Sequence, residues 1–180
     1  MTTATPMVSN QWLVDLAFLS KILDYIDGDT FTTDEGRITV QRKIYLAQLF
    51  GIKLGYTFQR NLFGPYSRAL SDDCELLQSH LREAREIAEP LKLTADAKKG
   101  VERVRKLFAV PAELNIDQAL WLELLSTYHI AASLLFPKTE LKALQEDELA
   151  AIEDKLMGDK PYLSGLRQQL RIVWDALIGK

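Results

Sequence analysis

The side chains best suited to nucleophilic or metal chemistry in this chain are one cysteine, Cys74, and two histidines, His80 and His129. A cysteine or serine nucleophile needs a histidine held beside it, but neither histidine lies in a recognisable nucleophile motif. One cysteine and two widely spaced histidines also supply too few ligands for a closed zinc site. We therefore interpret Cys74 as a small core residue, His129 as a hydrogen-bonded histidine and His80 as a helix-end residue.

Nucleotide and calcium motifs are also missing from the sequence. Neither G-x-x-x-x-G-K-[ST] nor G-x-G-x-x-G occurs, so nucleotide-dependent chemistry has no motif to support it. The acidic loop that begins at Asp27 lacks the ligand spacing and the terminal glutamate of an EF-hand. We expect a protein without enzyme activity, metal or cofactor.

The strongest functional signal is a block of charge. Between Arg37 and Leu70 the chain contains no aspartate or glutamate, although its formal net charge is -3. The cations of this block could contact phosphate or carboxylate groups of a partner. Alternatively, they pair with acids of the first loop or of residues 140–159. We expect Arg42 and Lys43 to point partly away from the apolar face of their helix.

Aromatic residues are dense in the same block, and they could form a binding surface or simply pack together. We expect Tyr66 to pack on Tyr45 or Phe58. The complete set of candidate partner-binding residues is Arg42, Lys43, Tyr45, Phe58, Arg60, Tyr66 and Arg68.

A Gly-Pro-Tyr-Ser corner is predicted to organise this surface structurally. Gly64 is expected to adopt a backbone conformation that other residues avoid. Pro65 suits the first turn of the next helix, where its missing N–H costs nothing, and Ser67 can cap that helix.

Apolar residues at helical spacing predict most of the remaining elements. The first helix is expected to be capped by Ser9 or Asn10 and to end at Gly28, and the second to be capped by Thr39. Extended segments are expected around Tyr56–Arg60.

A second extended segment is expected at Ala88–Leu93, in a polar crossing, and Thr94 should cap a basic helix after it. Asn115 or Asp117 should begin the most apolar helix, which we predict to be central and buried. An acidic helix from Thr139 and a last helix complete the chain.

These elements predict a mainly α single helical domain with a small winged-helix-like extended element and a C-terminal helical bundle. We expect a flexible terminus at residues 1–10, an N-terminal helical part at 11–110 and a bundle at 111–180 packed on it. With 180 residues, 47% of them hydrophobic, the chain can bury a sizeable core. No apolar run is long enough for export or membrane spanning, so we expect a cytoplasmic protein.

Several segments resemble a known family. The pattern RKIYL at residues 42–46 is followed by the aromatic pair Tyr56 and Phe58 and by FGPYS at residues 63–67. This ordered combination resembles the signature of YwgA-like proteins and is similar to the SocA-like antitoxins that share the Panacea domain. The later segment LELLS, at residues 122–126, resembles a recurring helix of the same group.

The resemblance implies a non-enzymatic interaction module, antitoxin-like or associated with phage defence, that binds and regulates a partner protein such as a toxin or defence effector. The alternative is a winged-helix-like DNA-binding regulator with Arg42, Lys43, Arg60 and Arg68 on phosphates. A steep fall of DNA affinity with salt would indicate the second function.

Overall fold

The computed structural model describes residues 11–27 and 31–179, and this part of the chain is mainly α-helical, as predicted. The predicted caps Ser9 and Asn10, the helix end at Gly28 and the flexible terminus at 1–10 lie outside the described residues. The elements are α1 (Gln11–Tyr25), α2 (Asp34–Leu49), β1 (Gln59–Asn61), β2 (Gly64–Tyr66), α3 (Arg68–Ser79), α4 (Leu81–Ala88), α5 (Ala95–Phe108), α6 (Gln118–Leu135), α7 (Glu146–Asp159) and α8 (Leu170–Ile178), with 3-10 helices at Leu141–Ala143 and Pro161–Gln169.

Side-chain caps define four of the helix starts. The hydroxyl of Thr33 accepts a hydrogen bond from the Gly36 amide at 3.1 Å, and acidic residues occupy the first turn of α2. The predicted start at Thr39 is therefore wrong, because an earlier cap and a favourable first-turn charge extend the helix toward the N-terminus. Thr94 caps α5 and Asp117 caps α6, which confirms both of those predictions.

The two strands form an antiparallel hairpin in which Gln59 pairs with Tyr66 and Asn61 with Gly64. Pro65 lies inside β2, so its predicted place in the first turn of a helix is wrong. A proline lacks an amide donor, which a strand of a two-stranded ribbon tolerates because one of its edges is unpaired. The next helix starts after Ser67, which caps it as predicted.

The winged-helix-like element is smaller than predicted, because Ala88–Leu93 forms no strand. Residues 81–88 form α4, which packs against α1. Ala84 and Ala88 lie one turn apart on its buried face, and Pro90 follows the helix end. Burial of this alanine face on α1 explains why the segment is helical.

The predicted acidic helix also starts later than Thr139. Residues 141–143 form a 3-10 turn, and α7 begins after Gln145, which forms a capping box with Glu148. Pro137 lies just beyond the end of α6, as predicted.

A single hydrophobic core joins the N-terminal part to the C-terminal bundle. Within it, α6 contacts α2, the hairpin, α5, α7 and α8, which agrees with its prediction as the central helix. Trp121 and Leu125 of α6 are fully buried, and the Trp121 indole donates a hydrogen bond to the Leu107 carbonyl at 2.7 Å. In the described residues, no helix combines the length and the apolar character that membrane crossing requires.

Candidate functional site

Arg42 lies at the junction of α2, the hairpin and α6, with only 7% of its surface exposed. Its Nη2 lies 3.0 Å from Glu123 Oε2 and donates to the Phe63 carbonyl at 3.0 Å, while Nη1 donates to the Ala119 carbonyl at 3.3 Å. The expectation that Arg42 and Lys43 point away from the core is wrong. The helix α2 is covered by α3, α5, α6 and the hairpin, which leaves no solvent-facing side at these positions.

Glu123 is shared by further donors from the far end of the chain. The Lys160 ammonium and the Tyr162 hydroxyl both donate to its Oε1, and Lys160 is itself buried. We call Arg42, Glu123, Lys160 and Tyr162 the charged cluster. Burial alone would raise the pKa of Glu123, but the hydrogen bonds from Lys160 and Tyr162 and the nearby Arg42 charge hold that pKa below its ordinary value. Glu123 is therefore ionised at neutral pH.

A second ion pair fastens β1 to the end of α7. Arg60 Nη2 lies 2.7 Å from Asp159 Oδ2, and Lys155 Nζ lies 3.1 Å from the same oxygen. Burial would raise the pKa of Asp159, but hydrogen bonds from Lys155 and Arg60 and the charges of both side chains together lower it. The alternative prediction, that the cations of this block pair with acids of residues 140–159, is therefore confirmed for Arg60.

The other candidate cations lie elsewhere. Lys43 is buried, donates to the Asp27 carbonyl and lies 5.8 Å from the ring centroid of Phe108. Arg68 is 84% exposed and pairs with Asp72 at 3.5 Å on α3. The predicted cations therefore do not form one continuous surface.

The candidate aromatic residues are divided between packing and exposure. Tyr45 makes an edge-to-face contact with Phe58, with ring centroids 5.2 Å apart, and its hydroxyl lies 2.7 Å from His129 Nδ1. Tyr66 is exposed on the hairpin and makes no ring-to-ring contact among the described residues, so its packing on Tyr45 or Phe58 stays a prediction.

Burial keeps the side chains of His129 and Cys74 uncharged. It lowers the pKa of His129 to about 4 and raises the pKa of the Cys74 thiol to about 12, so the imidazole is neutral and the thiol protonated at pH 7. These states fit the structural roles predicted for both residues. Across residues 11–27 and 31–179, no group of three or more histidine, cysteine or acidic side chains is close enough to hold a metal.

The Gly-Pro-Tyr-Ser corner is fastened to α2 by a glutamine that the sequence did not single out. The Gln41 amide donates to the Ser67 carbonyl at 3.0 Å and accepts from the Ser67 amide at 2.8 Å. Gln48 makes the same pair of bonds with Tyr56, both at 2.8 Å. Their seven-residue spacing places both glutamines on one side of α2. Polar residues next to the apolar positions of this helix are the pattern that could have identified them. Gly64 has a φ of +121°, which confirms the unusual backbone predicted there.

The anchored hairpin presents apolar side chains to solvent. Leu62 and Phe63 at its tip are 75% and 59% exposed, although the Phe63 carbonyl is held by Arg42. Sequence reasoning missed Leu62 and considered Phe63 only among aromatics that pack or bind.

A second exposed surface lies on α5. Lys98, Lys99, Arg103 and Lys106 are exposed on this helix, and none of them has an ion-pair partner among the described residues. Most arginines elsewhere on the described surface pair with an acid, as Arg68 and Arg171 do. With five cations against the two acids Asp96 and Glu102, α5 carries a net positive charge.

No family model, curated protein or solved structure matches this chain. The resemblance of residues 42–46 and 63–67 to SocA-like antitoxins accordingly stays a prediction carried by those motifs.

Proposed function

We propose that this chain is a non-enzymatic interaction module, antitoxin-like or associated with phage defence, that binds and regulates a partner protein through the hairpin tip. The observation that carries the proposal is the exposure of Leu62 and Phe63 on a hairpin whose backbone is held by neighbouring helices. The resemblance of the 63–67 segment to the antitoxin group points to the same class of function.

Anchoring matters because an ordered segment loses less conformational entropy when it binds. An isolated two-stranded hairpin is only marginally stable in water. Here Arg42 holds the tip carbonyl, Gln41 holds Ser67, and Arg60 ties β1 to Asp159. Aromatic side chains such as Phe63 are enriched at protein interfaces, and an ordered support lowers the entropic cost of burying them.

The test is capture of partners from the native host, with the products of neighbouring genes examined first. Leu62→Gln combined with Phe63→Gln should reduce capture of the partner at least about tenfold, since loss of about 1.4 kcal/mol of binding energy has that effect. Leu76→Gln, which alters an exposed apolar side chain on α3, is the matched control and should capture the partner normally.

Thermal melting must accompany the capture experiment. The hairpin variant should melt within a few degrees of the unaltered protein, because the changed side chains face mostly solvent. Normal capture by a folded Leu62→Gln, Phe63→Gln variant would refute the hairpin tip as the binding surface.

The second candidate function, binding of DNA, is favoured by the net positive charge of α5. Arg42 and Lys43 are buried, so the phosphate-binding role moves in this hypothesis to Lys98, Lys99 and Arg103. A basic helix face supplies sequence-independent attraction to a duplex.

This alternative is tested by measuring duplex affinity at several salt concentrations. Lys99→Ala with Arg103→Ala should lower affinity and reduce the salt slope by about one for each phosphate that the protein no longer neutralises. Lys142→Ala, which removes a cation paired with Glu140 on another part of the surface, should leave the slope unchanged. If the unaltered protein does not bind duplex at low salt, the DNA hypothesis is refuted.

A further inference from the structure

A cavity of about 400 Å³ opens between the hairpin and the C-terminal helices. Its hairpin wall includes Arg60, Leu62 and Gly64, and its opposite wall includes Thr127 and Ile130 of α6. Asp159 and Lys160 also line it, and Lys160 connects it to the charged cluster. Cavities of this volume are large enough to receive a side chain or a small ligand.

The charges around this cavity are unequal. Glu123 is shared by Arg42 and Lys160, and Asp159 is shared by Arg60 and Lys155. Four cationic side chains thus meet two carboxylates, which leaves an excess of two positive charges in a protein whose net charge is -3. An additional anion at the cavity would be attracted by this excess.

Two polar atoms near the cavity have unused hydrogen-bonding capacity. Thr127 Oγ1, in the wall, and Arg42 Nε, behind it, are buried without a hydrogen-bond partner among the described residues. Gly64 lines the cavity, and a Cβ built at that position would lie 3.6 Å from Arg42 Nε. The Arg42 guanidinium therefore lies close to the Gly64 backbone.

Part of the cavity lining is apolar. Leu62 of the hairpin and Ile130 of α6 both line it. Leu134, one helical turn beyond Ile130, is also exposed and continues the apolar stripe along α6. Positive charge beside apolar side chains calls for a ligand that offers both an anion and apolar groups.

We infer that the cavity receives a glutamate or aspartate side chain from an acidic, apolar segment of the partner protein, with the carboxylate beside Lys160 and Arg60 and neighbouring apolar side chains on Leu62 and Ile130. This inference rests on the proposed function, since it specifies the chemistry of the partner surface that the hairpin meets. A free phosphate ion would satisfy the charge but would leave the apolar side chains uncovered, which is why a polypeptide segment fits better.

The experiment is an NMR titration of the ¹⁵N-labelled full chain, which detects weak binding and locates it. The probe is the acetylated and amidated tetrapeptide Leu-Glu-Leu-Leu, and its control is Leu-Gln-Leu-Leu. The acidic peptide should shift the amide signals of Leu62, Gly64, Thr127 and Ile130. It should bind about fivefold more tightly than the neutral one, the ratio that corresponds to about 1 kcal/mol for a partly exposed ion pair.

Variants test the two halves of the site separately. Arg60→Glu should abolish the preference for the acidic peptide, while Arg68→Glu, at an exposed arginine on α3, should retain it. Leu62→Gln leaves every charge in place and should weaken binding of both peptides equally. This variant keeps the inference testable even if Arg60→Glu disturbs the hairpin.

Three outcomes would overturn the inference. They are no shifts at the cavity up to the solubility limit of the peptide, equal binding of the acidic and neutral peptides, or phosphate binding at the same residues as tightly as the acidic peptide. Failure of the proposed function is distinguishable from these. If the native partner is lost by Leu62→Gln with Phe63→Gln but fully retained by Arg60→Glu, the hairpin is the interface and the acidic segment is wrong.

Discussion

Two arginines from the same acid-free block differ completely in their surroundings. Arg42 forms its ion pair with Glu123 where the two side chains are 8% and 14% exposed, whereas Arg68 pairs with Asp72 where they are 84% and 56% exposed. Removing one member of the buried pair leaves an uncompensated charge away from water, while exposed pairs are screened by solvent. Position in the fold therefore decides what an arginine does here: Arg42 holds elements together and Arg68 is available to the surface.

The largest expected effect comes from breaking the charged cluster. Glu123→Ala should reduce the free energy of unfolding by about 3–5 kcal/mol, because Arg42 and Lys160 would both lose their carboxylate partner inside the protein. Asp72→Ala, which removes the partner of Arg68, is the matched control and should cost about 0–1 kcal/mol. Urea denaturation of both variants measures the difference. Equal losses would mean that the cluster is no more structural than the surface pair.

Acid should weaken the fold in two successive ranges of pH. Burial lowers the pKa of His129 from 6.5 to about 4, so the folded protein binds fewer protons than the unfolded chain between these values. Its contribution is complete above pH 6.5 and is lost as the pH falls toward 4, a change of about 3 kcal/mol. Glu123, whose pKa is lowered in the folded state, adds a further loss only as the pH falls below its ordinary pKa and through the folded one.

Unfolding measured across this pH range separates the two groups. His129→Gln should flatten the dependence between pH 6.5 and 4 and keep the loss at lower pH. Tyr45→Phe removes the hydrogen bond to His129 but leaves the imidazole titratable, so it should retain the dependence. An unchanged profile for His129→Gln would exclude this histidine as the cause.

Substitutions at two separate glycines test whether the positive φ of the hairpin backbone affects the stability of the protein. Gly64→Ala should destabilise the protein by about 1–3 kcal/mol, because a φ of +121° is strained for any residue with a Cβ. Gly158→Ala, in α7 with no atom within 4 Å of the added carbon, should instead stabilise it by about 0.5–1 kcal/mol. Thermal melting of the two variants should therefore shift in opposite directions, and a shared direction would contradict the assignment of strain to Gly64.

The smallest effect is expected at the exposed arginine. Arg68→Ala should change the free energy of unfolding by no more than about 1 kcal/mol, and the change should shrink further in high salt. Unfolding curves at low and high ionic strength measure both quantities. A salt-independent loss as large as that of Glu123→Ala would place Arg68 in a structural role and remove the contrast with Arg42.

The helical class, the central place of α6 and the caps Thr94, Asp117 and Ser67 could be predicted, because local capping chemistry and apolar periodicity determine them. The start of α2 and the helical state of residues 81–88 could not be predicted as reliably. Thr33 and Thr39 are both acceptable caps in isolation, and only the packing of α4 on α1 selects helix over an extended segment before Pro90.

The sequence predicted several residues of the candidate site but not how they are arranged. The motif segments did contain the residues at the base of the hairpin, Arg42, Gly64 and Ser67. Their long-range partners, Glu123 and Lys160, lie far along the chain. Glu123 falls within the LELLS segment without being singled out there, and no local pattern marks Lys160. Whether a cation is buried or exposed depends on which helices cover it, and that is a property of the assembled fold.

The reach of Arg42 also has a consequence for synthesis on the ribosome. The Ala119 carbonyl that it binds lies 77 residues later in the chain, and Glu123 follows still further on. A nascent chain that has emerged only as far as the hairpin can form the hydrogen bond to Phe63 but lacks Glu123, the carboxylate that pairs with the guanidinium in the folded protein. The hairpin and its apolar tip should therefore stay unfixed until α6 has left the exit tunnel, so that a competent binding surface is completed only late in translation.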